Sequence, residues 1–185
     1  MGRRVRRIIL RLMMPIARRF ADKTGSRLHF PDDFYMRFIQ LVKPGDVILT
    51  RTDKSLTNIL IPGKYKHAAM YVHPEFVEAS YPSVRLIGLA NMLQKSNHIC
   101  VVRPRGFNQL QVNDAINNMR NLVGLPYDFM FEPGEKAFYC SEAITYSYQM
   151  ANKEFSFVKR SILGVDTVIP DDFRTAGQFK IILES

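Results

Sequence analysis

Two cysteines in the whole chain, Cys100 and Cys140, are too few for a disulfide framework. No stretch approaches 18 uncharged apolar residues, so no helix is expected to span a bilayer. Internal repeats and low-complexity segments are missing too. Acids are nearly absent from residues 1–30, which hold nine Lys/Arg and one Asp, a net of +8. The other 155 residues carry a net of +1, so the overall +9 belongs to the first segment and not to the body. A near-neutral body without a basic groove or a recognisable recognition motif argues against nucleic-acid binding.

Residues 1–30 repay closer reading. Val5, Ile8, Ile9, Leu12, Met13, Ile16 and Phe20 fall on one side at helical spacing, with Arg3, Arg4, Arg6, Arg7, Arg11, Arg18 and Arg19 around them. Arg11 interrupts the apolar stretch and no small-residue cleavage site follows, so this does not read as a secretory signal. A basic amphipathic helix either lies on an anionic membrane surface or packs its apolar face on its own domain. The organisation expected is a basic segment over 1–30 and one domain over 31–185, long enough to bury a core. Its expected place is the cytoplasm, peripheral at the inner membrane face.

The remaining pattern is α+β, a small and mostly antiparallel sheet packed with helices. A helix is expected over Asp32 to Val42, a turn at Lys43-Pro44-Gly45-Asp46 and a strand to Arg51. Residues 52–61 suggest a short helix. A hairpin follows, with arms His67 to Val72 and Phe76 to Ser80. Further strands are expected at Val84 to Leu86, Ile99 to Arg103 and Phe179 to Leu183, and helices over Val112 to Val123, from about Ser141 to Asn152, and from Pro170.

Cys140 stands in Tyr139-Cys140-Ser141-Glu142, directly before a helix-patterned run. A helix N-terminus favours thiolate over thiol, and thiolate is the attacking species. His67 opens a strand-like segment and supplies a base. Glu78 lies on the paired arm; directly opposite His67 it shares a face with it and orients the ring. That register centres the turn between Val72 and His73, and a one-residue slip sends Glu78 to the other face. The Cys140 N–H and Tyr127 are candidate oxyanion donors. Singly, each residue has a structural explanation: a small buried thiol, a strand histidine, a surface ion pair for Glu78, a core phenol. Together they are the parts of a cysteine hydrolase. No second close ligand pair joins Cys140, His67 and Glu78, so neither a metal nor another cofactor is expected.

The ordered set Pro44-Gly45-Asp46-Val47, Lys66-His67-Ala68-Ala69-Met70-Tyr71-Val72, Val77-Glu78-Ala79, Gly124…Tyr127-Asp128 and Tyr139-Cys140-Ser141-Glu142 resembles the circularly permuted, YiiX-like branch of the NlpC superfamily. The resemblance covers roughly Lys43 to Asn152. It implies a permuted papain-like fold, a nucleophile at Cys140, a base at His67, a third polar residue at Glu78 and an oxyanion tyrosine at Tyr127. It further implies an amide substrate, in cell-wall-type peptides or modified amino acids. The unpermuted enzymes usually show Asp-Cys-Ser-Gly, and Glu142 replaces that glycine here. The permuted fold is also similar to the lecithin:retinol acyltransferase group, so lipid acyl chemistry at a membrane surface is one alternative. A non-enzymatic binding module is the other.

Overall fold

A computed structural model describes residues 30–53, 61–131, 136–157, 159–162 and 164–185. The N-terminal segment, apart from Phe30, and the short helix expected within 52–61 lie outside the described residues. In chain order the elements are α1 (Asp32–Leu41), β1 (Val47–Arg51), β2 (His67–Tyr71), β3 (Phe76–Ser80), β4 (Ser83–Ile87), α2 (Leu89–Gln94), β5 (His98–Pro104), α3 (Gln109–Asn121), α4 (Cys140–Ala151), β6 (Arg160–Ile162), β7 (Val165–Thr167), α5 (Pro170–Thr175) and β8 (Phe179–Glu184).

Six strands form one antiparallel sheet in the order β4-β3-β2-β1-β5-β8. Both faces of its centre are covered, so β1 reads as the apolar run Val47-Ile48-Leu49 and not as a polar alternation. On one face Val47, Leu49, Met70, Val77 and Val102 pack with Ala115 and Met119 of α3, Ala143, Ile144 and Tyr148 of α4, and Phe173 of α5. On the other face Ile48, Ala69, Phe76, Ile99 and Val101 meet Phe34 and Phe38 of α1 and Met92 and Leu93 of α2.

Gly45 turns the chain from α1 into β1 at φ +89°, a conformation that side chains resist. A Cβ there would sit 2.5 Å from Val112 Cγ1 of α3. Gly45→Ala is therefore expected to cost about 1–3 kcal/mol, read as a lower urea midpoint at unchanged slope.

Three local features differ from the sequence expectation. Helix α3 starts three residues early, at Gln109. Asn108 caps it by accepting the Gln111 N–H (2.9 Å), and the Gln111 side chain accepts the Asn108 N–H (3.0 Å). The β6–β7 hairpin was not expected: each strand has only three residues, too short for a periodic signal. The β2–β3 register is Ala69↔Glu78, Met70↔Val77 and Tyr71↔Phe76, which corrects the direct His67–Glu78 opposition. The reason is the turn. The Val72 N–H donates to Glu75 O (2.9 Å) and His73 adopts φ 48°, so the hairpin centres on His73-Pro74, one residue later. Moving the turn centre by one residue moves the pairing by two, and strand side chains alternate with period two. Glu78 therefore keeps the same face.

Candidate active site

His67 is the first residue of β2, and Glu78 is central in β3. With Ala69 opposite Glu78, His67 lies two residues along on the same face and reaches across diagonally. Its Nε2 is 2.7 Å from Glu78 Oε2. This leaves Nδ1 for the thiol. Cys140 is the first residue of α4, and the helix, packed by Ala143, Ile144 and Tyr148, delivers it to the end of β2. There the Cys140 thiol lies against the His67 ring and near the Ala68 N–H, both of which favour its charged form. Ser141 Oγ is 3.8 Å from Sγ. Cys140 is only 4% exposed, while the His67 side chain keeps 31% of its surface open to solvent.

The electrostatics follow from these contacts. Burial pushes the Cys140 thiol up, but the hydrogen bond and charge of His67, with the Ser141 hydroxyl and Ala68 N–H, leave it below its ordinary value. Burial works against the His67 imidazolium, yet hydrogen bonds to Cys140 and Glu78, and their charges, raise it to about 10. Burial also works against the Glu78 carboxylate, but His67 and Arg85 bring it down to about 2. Thiolate, imidazolium and carboxylate are thus mutually sustaining.

A stability test follows from Glu78. A carboxylate held below its free value of 4.5 stabilises the fold fully above that value, and loses the contribution as pH falls toward about 2. Between pH 5 and pH 2 wild type is expected to lose more Tm than Glu78→Gln. Parallel curves from calorimetric scans would count against the buried ion pair.

Tyr127 stands in the loop after α3, where its N–H donates to Pro82 O (3.0 Å) and it bridges to Phe138. Burial and the neighbouring Cys140 charge push its phenol well up, so it stays protonated and able to donate near Cys140. The Cys140 N–H is among the leading N–H groups of α4, which have no acceptor within the helix. The structure therefore brings all four expected residues into one neighbourhood. Asp128 serves its own turn, accepting the Met130 N–H at 2.7 Å.

Two roles were missed in the sequence. Glu142 caps α4: its Oε2 accepts the Tyr139 N–H (3.3 Å), which accounts structurally for the residue that stands where the unpermuted enzymes have glycine. Arg85 of β4 lies directly opposite Glu78, and its Nε and Nη2 donate to Glu78 Oε1 at 2.9 and 2.7 Å. The signal was available: a two-residue turn at Tyr81-Pro82 pairs Ser80 with Ser83, and therefore Glu78 with Arg85. Cys100, the other cysteine, is a free and fully buried thiol pushed up to about 12, chiefly by burial and then by Glu184. Among the described residues no group of three or more His, Cys, Asp and Glu is placed to hold a metal ion. No helix among them is long and apolar enough to cross a membrane.

A strand histidine set against a cysteine at a helix N-terminus, with the histidine earlier in the chain where ordinary papain-like enzymes have the cysteine first, is the arrangement of a permuted papain-like hydrolase. Residues 41–183 match the family of permuted papain-like amidase enzymes (YaeF/YiiX, C92 family), and the chain belongs to it. Among solved structures, that of yiiX from Escherichia coli O157:H7, described as a metalloprotein, superposes with a TM-score of 0.66 at 21% identity, covering 78% of this chain and 98% of that one. It shares the fold. No curated protein matches the chain.

Proposed function

We propose that this cysteine hydrolase cleaves an amide bond through an acyl-enzyme on Cys140. The observation that carries the reading is the placing of the His67 ring between the Cys140 thiol and Glu78, whose Oε2 lies 2.7 Å from His67 Nε2. The Cys140 thiolate attacks the carbonyl carbon, and the oxyanion is met by the Cys140 N–H and Tyr127. The C–N bond then breaks, and the His67 imidazolium gives its proton to the departing nitrogen. Water, losing a proton to His67, attacks the thioester, and the acid leaves as the thiolate is regenerated. Glu78 holds the ring in place and supports its charge throughout.

The substrate proposed is a cell-wall-type peptide or modified amino acid, met at an anionic membrane surface on the cytoplasmic side. Helix α1 favours the surface placement. It leaves Met36 and Ile39 57% and 56% exposed, with Leu41 also exposed, immediately after the basic amphipathic segment. Lipid ester chemistry is the second reading that the same face favours.

One panel separates them. Peptide amides and acyl lipids in anionic vesicles are offered to the full chain, to Cys140→Ala and to a chain lacking residues 1–30. Amide cleavage that needs Cys140 and survives the deletion in soluble substrates supports the first reading. Turnover restricted to vesicle lipids, and lost on deletion, replaces it with the second.

A further inference from the structure

We infer that Arg85 is a positioning residue for the reaction, acting on Cys140 only through Glu78 and His67. The inference rests on the cysteine-nucleophile reading above and adds a fourth member to its chain. Its basis is the division of labour at the Glu78 carboxylate. One oxygen, Oε2, meets His67 Nε2 at 2.7 Å, and the other, Oε1, takes both Arg85 donors at 2.9 and 2.7 Å.

A carboxylate with one oxygen anchored has lost its freedom to rotate away from the imidazole. The anchor is well built. Arg85 and Glu78 are directly paired residues of adjacent strands, so backbone register and not a flexible loop sets their approach. Glu78 is 7% exposed, and a planar guanidinium presents its two donors at fixed geometry. Lysine has no such fork. Arg85 itself is 37% exposed at the side chain, which lets it remain hydrated on its outer side.

Two opposed consequences of removing Arg85 make the idea decidable. As a mere positive charge, Arg85 repels the imidazolium, so deleting it strengthens the His67 cation and widens the pH range of the thiolate. As an anchor, it holds Glu78 on the ring, so deleting it weakens that cation and narrows the range. The structure favours the second, because Oε1 has lost both of its donors and Glu78 is free to turn.

The test is the rate of iodoacetamide alkylation at Cys140 against pH, read by peptide mass spectrometry on the full chain. The variants are Arg85→Ala, Arg85→Lys, Glu78→Gln and the double Glu78→Gln/Arg85→Ala, with circular dichroism confirming the fold. Arg85→Ala is expected to move the acid limb up by about one pH unit, so that alkylation below the limb falls about tenfold. Arg85→Lys recovers part of the shift. In the Glu78→Gln background, Arg85→Ala adds nothing, because the route through Glu78 is already broken.

An acid limb unmoved or lowered by Arg85→Ala overturns the inference. So does an equal shift in both backgrounds, which means that Arg85 acts on the thiol directly. A wild-type thiol of ordinary reactivity overturns the cysteine-nucleophile reading itself, and the anchor with it, whereas a low-pH thiolate indifferent to Arg85 sinks the anchor alone.

Discussion

Cys140→Ala is expected to abolish amide hydrolysis, by about 10⁴-fold or more, while leaving the fold intact. The size follows from the chemistry: without the sulfur no acyl-enzyme forms, and His67 has nothing to activate in the first step. The fold should tolerate the change because Cys140 is small, stands at the first position of α4 and lends a single sulfur to the site. Alanine also has the highest helix propensity. The measurement is turnover on whichever amide the panel identifies, with a thermal melt alongside. Retained turnover would remove Cys140 from the mechanism. A collapsed melt would mean instead that the residue is structural.

His67→Ala has the second largest expected effect, and its signature is a changed pH profile as well as a lower rate. On the proposed mechanism the productive thiolate–imidazolium pair exists in wild type above the lowered thiol value and below the imidazole value of about 10. Activity therefore rises as pH climbs through the first and falls as it climbs through the second. Without His67 only the Ser141 hydroxyl and the Ala68 N–H still oppose burial, the largest influence on the sulfur, so reactivity should move up into the ordinary thiol range of about 8.5 or above it. Turnover at neutral pH should fall about 10³-fold or more, since both the base and the leaving-group acid are gone. Restoration at high pH of nucleophilic attack, but not of full turnover, would mark the loss of the acid. An unchanged profile would contradict the ion pair.

How legible the protein was depends on the kind of signal. Strands β1, β2 and β3 were readable as short, largely apolar runs next to turns that hold Pro, and α1 and α4 as helix-patterned runs, α1 starting after Pro31. The proposed nucleophile and base were readable because they sit at element starts: Cys140 before a helix-patterned run and His67 after a polar one. What escaped is set by turns and by distance. The His73-Pro74 turn fixes the β2–β3 pairing through one N–H to carbonyl bond and one positive φ, and no hydrophobic pattern records where a turn centres. The sequence left the face of Glu78 open; it is the face of His67, because the pairing moved by two residues and not by one. Arg85 escaped because its role comes from a neighbouring strand, although the Tyr81-Pro82 turn held the register. Glu142 drew notice as a departure from a familiar glycine, and its capping bond to Tyr139 became visible only with the helix start in place.

The most direct test of the account is the pH dependence of alkylation at Cys140 in wild type against His67→Ala, followed by mass spectrometry. The account predicts a thiolate that persists well below the ordinary cysteine range of about 8.5 in wild type and vanishes from that range in the variant. A wild-type thiol that titrates normally, or a low-pH thiolate indifferent to His67, would contradict it.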